Sequence, residues 1–161
     1  MKILFVCLGN ICRSPTAQGV FEKLLHQHNL HQKVIADSAG TSGWHVGSPP
    51  DNRAIQMASK KDYNISNYRG RQVDFGDFYE FDLILAADYS NYDNLIYIAP
   101  EEAKDKIKLL LEYGSSGLKE IPDPYYGGEK GFEEVLNLIE EACENIIEKI
   151  KSGELKSENL S

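Results

Sequence analysis

The chain has 161 residues, 42% of them hydrophobic and 26% charged, which suits one globular domain at the usual size of roughly 150 residues and excludes the disordered, fibrous and membrane-spanning classes. Its 17 Lys plus Arg stand against 25 Asp plus Glu, a formal charge of −8 that disfavours nucleic acid and anionic lipid as partners. Cys7, Cys12 and Cys143 are an odd count without disulfide-framework spacing, so we expect a reducing, cytoplasmic compartment.

The opening segment MKILFVCLGN carries one Lys and a short apolar run, then meets Gly9, Asn10 and Arg13 before any cleavage-like site. It reads as a first strand over Lys2–Cys7 and not as a signal peptide. Short, nearly continuous apolar runs at 33–37, 83–87 and 107–111 predict three further strands, buried on both faces as parallel strands are. Helical patterns fall between them at 15–27, at 50–61 and, more weakly, after Ser90. In the last helix Phe132, Val135, Leu136, Ile139, Ala142, Cys143, Ile146, Ile147 and Ile150 recur at three- and four-residue steps, one apolar stripe for a sheet. Strands alternating with helices imply right-handed crossovers and a three-layer α/β/α domain on a short, four-stranded parallel sheet. We expect one domain over 1–151 and a polar tail over 152–161. Such sheets bind ligands beyond the carboxyl ends of their strands.

The informative segment starts where the first strand ends: Cys7-Leu8-Gly9-Asn10-Ile11-Cys12-Arg13-Ser14-Pro15. Pro15 suits the first turn of a helix, and Ser14 reads as its N-cap. Leu8 to Arg13 can then turn backbone N–H groups, the positive end of the helix dipole and one guanidinium toward a common centre the size of a phosphate. That field favours thiolate over thiol at Cys7, and the thiolate is the competent nucleophile. Arg13 can grip two phosphoryl oxygens bidentately, which Lys cannot.

A Cys and an Arg separated by five residues and followed by Ser resemble the signature loop of the protein tyrosine phosphatases. The fuller string VCLGNICRSP at 6–15 resembles the low-molecular-weight protein tyrosine phosphatases very closely. Further matches cover nearly the whole chain: Ser38-Ala39-Gly40-Thr41, Trp44-His45-Val46-Gly47, Asp51 and Arg53, Asp88 and Asn91, and Asp123-Pro124-Tyr125-Tyr126-Gly127. The resemblance implies a phosphatase I-like fold and hydrolysis of phosphotyrosine and aryl phosphates through a phosphocysteine, with inorganic phosphate as product and no metal or organic cofactor. It implies a monomer, with a weak dimer as the alternative.

Residue by residue, the resemblance makes Cys7 the nucleophile, Arg13 the phosphate clamp and Asp123 the general acid. The loop from Leu8 to Ser14 binds phosphate, while Asn10, Ser14 and Ser38 brace it, with the Ser14 hydroxyl also facing the thiolate. Asp123-Pro124-Tyr125-Tyr126-Gly127 taken alone also reads as a turn, since Asp, Pro and Gly are turn residues. Its chemistry argues further, because a carboxylic acid that protonates the leaving oxygen supplies roughly 10²- to 10⁴-fold. Ile11, Trp44, Tyr125 and Tyr126 would wall the substrate cleft, with ordinary core packing the other reading of Trp44. Cys12 would form a reversible disulfide with Cys7, or serve only as a small buried hydrophobe. Cys143 reads as core. Asp88 and Asn91 would cap a helix near the site.

Two positions depart from the family pattern: Ala87 stands where Met is common, and Tyr68 where many members place a bracing His. A phenol cannot carry imidazolium charge, so the loop network should differ there. Rival readings fare less well. Thioredoxin-coupled arsenate reductases need two further cysteines after the third strand, and 83–131 has none. Protein arginine phosphatases have Thr where this chain has Ile11. His26, His28 and His31 lack the spacing of a metal pair, and a nucleotide-binding loop would need Gly-Lys-Ser/Thr. A flavodoxin-like carrier leaves Arg13 and Asp123 without purpose. A non-catalytic phosphotyrosine-binding module is the strongest non-enzyme alternative.

Overall fold

Four parallel strands, β1 (Lys2–Cys7), β2 (Ile35–Gly40), β3 (Leu83–Ala86) and β4 (Ile107–Leu109), make one sheet in the order β2-β1-β3-β4. The structure is a computed structural model that describes residues 1–125 and 127–157. Among these residues the helices are α1 (Arg13–Gln27), α2 (Asn52–Ser59), α3 (Asp77–Glu80), α4 (Tyr89–Ile98) and α5 (Gly128–Ser152). They lie on both faces of the sheet, so the expected three-layer α/β/α architecture is the one observed.

β1 shows why both faces are covered. Its side chains alternate in direction: Ile3, Phe5 and Cys7 join the core cluster built with α1, α2 and α5, while Leu4 and Val6 join the one holding Phe78, Leu95 and Ile107. Phe5 meets Phe21 of α1 edge to face at 5.5 Å. The register sets Cys7 opposite Gly40 and Val6 opposite Ala86, which gathers the carboxyl ends of β1, β2 and β3. The loops that leave those ends are the ones whose sequences carry the chemistry.

α5 buries the predicted stripe from Phe132 to Ile147 without a gap. Truncating a residue at its centre, such as Ile139→Ala, costs about 2–5 kcal/mol by lost burial plus cavity. Cys143 lies fully buried in this stripe, facing the Ala17 carbonyl of α1. Gly153, with φ +83°, ends the helix in the left-handed conformation that glycine adopts freely. Beyond it Leu155 is buried against the main core, so the chain past Ser152 is docked at least this far.

Several boundaries differ from the periodicity. β2 starts and ends later than 33–37, because the Val34 N–H closes a turn on Leu30 and because Ser38, Ala39 and Gly40 continue beside β1 to the level of Cys7. Small residues there carry no apolar signal. The expected strand 107–111 stops at Leu109, where Leu110–Tyr113 turn into a 3₁₀ helix, and α3 and the 3₁₀ helix Glu101–Lys106 had no periodic signature.

Candidate active site

Between β1 and α1 the chain turns with its carbonyls outward. Thr41 donates its N–H to Cys7 O and Ser42 to Leu8 O, both at 2.9 Å, and Asp51 to Ile11 O at 2.7 Å. The Cys12 carbonyl accepts from Thr16 Oγ1 at 2.7 Å. Asn10 takes φ +57°, a left-handed conformation that Asn tolerates better than most residues. Gly40 is required where the two loops meet, since a Cβ there would stand 2.8 Å from Leu8 O. Among the described residues, the N–H groups of Gly9, Asn10, Ile11, Cys12 and Arg13 have no protein acceptor. Consecutive N–H groups facing one concavity form an anion site.

Cys7 Sγ lies 3.0 Å from Ser14 Oγ. Asn10 Nδ2 donates to Ser14 Oγ at 2.8 Å and to Ser38 Oγ at 3.0 Å, while its Oδ1 accepts from the Arg71 N–H. These contacts correct the reading of Ser14 as an N-cap. The helix already begins at Arg13, with Cys12 in the capping position and no side-chain cap. Ser14 therefore sits inside the first turn, and its hydroxyl serves the sulfur.

Arg13 is almost fully buried. Its Nη1 donates to Asp88 Oδ2 at 2.7 Å and to the Ile121 carbonyl at 2.8 Å, and Nη2 stands 3.8 Å from Asp123 Oδ2. Burial opposes its charge, but Cys7 and the hydrogen-bonded Asp88 outweigh that, and the guanidinium holds its proton more firmly than usual. Asp88 also caps α4 by accepting the Asn91 N–H at 2.8 Å, so one carboxylate fixes both the helix and the clamp. In the amide orientation that satisfies both neighbours, Asn91 donates to Asp88 Oδ1 at 2.8 Å and accepts the Leu8 N–H at 3.3 Å. Sequence reasoning placed Asp88 near the site but missed its bond to Arg13.

Over the loop opens a cleft of about 240 Å³ lined by Cys7, Leu8, Gly9, Ile11, Cys12, Arg13, Trp44, His45, Asp123 and Tyr125. Trp44 is 77% exposed, which decides for a cleft wall over a core residue. Tyr126 lies outside the described residues. Asp123 Oδ1 accepts the Tyr125 N–H at 3.0 Å. His45 is an unpredicted member of the lining, whose ring packs close to Gly9. Arg53 supports the lining without joining it: its guanidinium lies over the rings of Tyr125 and Phe132, 5.2 and 4.8 Å from their centres, and pairs with Asp51. The sequence marked Asp51 and Arg53 only as matches to the family pattern, with no role for either.

Cys12 is buried, and burial first, then Asp51, Cys7 and Asp123, push its thiol far above the ordinary cysteine range. Tyr68 does not touch Asn10, Ser14 or Ser38 directly; its hydroxyl donates to Glu22 at 3.0 Å. His26 and His31 stack ring on ring at 4.1 Å, away from the cleft.

The chain matches the family model "Low molecular weight phosphotyrosine protein phosphatase" over residues 2–156. It is 41% identical over 152 residues to the low molecular weight protein-tyrosine-phosphatase YfkJ of Bacillus subtilis, which covers 94% of this chain and 96% of that protein. The crystal structure of a protein tyrosine phosphatase from Entamoeba histolytica superposes with a TM-score of 0.93 at 45% identity, covering 96% of this chain and 99% of that one. That of a Drosophila arginine phosphatase does so with a TM-score of 0.87 at 38% identity, covering 94% and 98%.

Proposed function

The chain belongs to the low molecular weight phosphotyrosine protein phosphatase family, and from that premise we propose that Cys7, Arg13 and Asp123 carry its catalytic cycle. It is a cysteine-dependent protein-tyrosine phosphatase. One observation supports the assignment of roles above the others: Cys7, a loop of unpaired amides, the buried Arg13 guanidinium and the Asp123 carboxyl group line one cleft.

In the first step Cys7 Sγ attacks phosphorus in line as the bond to the tyrosine oxygen breaks. Arg13 and the amides of Gly9 to Arg13 hold the three equatorial oxygens, with Asp88 and Ile121 O preventing the guanidinium from turning away. Asp123 gives its proton to the leaving oxygen. In the second step Asp123 takes a proton from water as that water attacks the phosphocysteine, releasing inorganic phosphate and restoring the thiolate. Trp44, Ile11 and Tyr125 sandwich the aryl ring, and Arg53 steadies Tyr125 through its ring.

The substrates are phosphotyrosine proteins or peptides. Peroxide would convert the Cys7 thiolate to a sulfenic acid, which the Cys12 thiol condenses with to give a disulfide and water, and a dithiol would reverse this. The catalytic unit is residues 1–151, acting in the cytoplasm as a monomer that dimerises at most weakly. No helix among the described residues is long and apolar enough to cross a membrane.

Hydrolysis of p-nitrophenyl phosphate with EDTA present, run beside Cys7→Ser, tests the reading. Turnover that survives EDTA and vanishes in the variant supports it, and phosphotyrosine peptides should then outcompete phosphoarginine peptides. Fully reduced protein that binds phosphopeptide without turnover would replace it with the binding-module reading.

A further inference from the structure

Of the side chains lining the cleft, Cys7, Arg13 and Asp123 carry the proposed chemistry and Ile11, Trp44 and Tyr125 hold the aryl ring, but the His45 imidazole does neither. It is half-buried, and among the described residues its ring has no hydrogen-bond or ion-pair partner.

The ring is fixed from two sides. A Cβ on Gly9 would stand 3.0 Å from His45 Cδ2 and 3.7 Å from Nε2, so the bare glycine of the nucleophile loop is the seat of the imidazole edge. On the other side the His45 carbonyl accepts the Ser48 N–H at 3.0 Å, and Gly70 donates to Ser48 O and accepts the Gly47 N–H, both at 2.8 Å. A Cβ on Gly70 would collide with His45 O, so the turn and the segment behind it fit only with glycine there.

A phosphotyrosine that fills the cleft excludes water from this unpaired ring. Its phosphoryl oxygens go to the loop amides and Arg13, and its aryl ring offers no acceptor, so a partner for His45 has to come from a neighbouring residue of the substrate. Imidazole keeps at least one N–H in either protonation state, and a carboxylate is the side chain that accepts it most strongly. The placement of charge favours the same occupant. Asp123 and Asp51 are carried by other segments and each faces an arginine, Asp123 at 3.8 Å from Arg13 and Asp51 at 3.0 Å from Arg53. Gly9 under the ring and Trp44 beside it in the chain bear no charge.

We infer that His45 is a specificity-determining residue, which selects phosphotyrosine peptides with Asp or Glu directly beside the phosphotyrosine. This rests on the phosphotyrosine reading of the cleft. The protein as a whole carries a formal charge of −8 and repels such peptides, so the preference is local and disappears with the ring.

The test is kcat/KM for phosphotyrosine peptides that differ only in carrying Glu, Gln or Lys directly before or directly after the phosphotyrosine, read as the ratio of the Glu to the Gln peptide. In the parent that ratio should be roughly 2 to 5 at one of the two positions, mainly through KM. His45→Ala should bring it to one or below, as the acidic surface takes over. His45→Lys, which restores a donor, should restore the ratio, and His45→Glu should turn the preference to the Lys peptide. A loosened loop lowers both peptides alike and leaves the ratio unmoved. Equal ratios in the parent and His45→Ala, or a parent that prefers Gln or Lys at both positions, would overturn the inference. If the parent binds the peptides without turnover, the phosphatase reading fails, while the same ratio taken from dissociation constants still decides this one.

Discussion

The two loops that meet over the sulfur are built differently. The nucleophile loop is buried and over-determined: its carbonyls are tied to Thr41, Ser42 and Asp51, its Asn10 is held at both ends of the amide, and its arginine is pinned by Asp88 and Ile121 O. The acid loop is open. Asp123 is 47% exposed, accepts from Tyr125 N and approaches Arg13 only at 3.8 Å. Charge on the transferring phosphoryl group is met by a preorganised cradle, whereas the proton comes from a side chain in contact with water. Binding and nucleophilic attack should therefore depend on many residues at once, and proton delivery on one.

The largest effect should come from the nucleophile loop itself: Arg13→Lys keeps a charge but loses the fork, and we expect kcat to fall by roughly 10²- to 10³-fold in steady-state assays. Next, Asp123→Ala should cost roughly 10²- to 10⁴-fold with phosphotyrosine but much less with p-nitrophenyl phosphate, whose leaving group needs no proton. Asp123 must carry a proton in the first step, so the parent's kcat should fall toward high pH, and that falling limb should be missing from the variant. A limb that persisted would transfer the acid role elsewhere.

Arg53→Ala sharpens the comparison, since it removes the cation over Tyr125 and leaves the Asp51 N–H on Ile11 O in place; KM for aryl phosphates should rise by roughly 2- to 5-fold at little cost in kcat. The smallest effect concerns pH and stability. The hydrogen bond from Arg53 holds Asp51 below the ordinary carboxylate range. A carboxylate held low stabilises the fold above its unfolded value of about 3.9, and that contribution is lost as pH falls through the lower folded value. Acid titration of the melting temperature should show this loss in the parent and less of it in Arg53→Ala.

Much of the nucleophile loop was legible because it is contiguous: a strand end, a turn and a helix start in nine residues carry the sulfur, the amides and the guanidinium. The stripe of α5 was legible for the same local reason. What escaped was partner choice. Asp88 could be read as a cap but not as the anchor of Arg13, 75 residues away, and His45 enters the cleft only through the packing of the loop after β2. Ser14 looked like a cap because its type and its place before Pro15 fit that role, and only the family resemblance turned its hydroxyl toward Cys7, where the structure has it.

The most direct test is a rapid acid quench of Asp123→Ala with radiolabelled p-nitrophenyl phosphate, followed by peptide mapping. A preorganised cradle that still transfers the phosphoryl group when the acid is missing predicts a burst of p-nitrophenol matched by label on the Cys7 peptide. A burst without label there, or label on another residue, would contradict it.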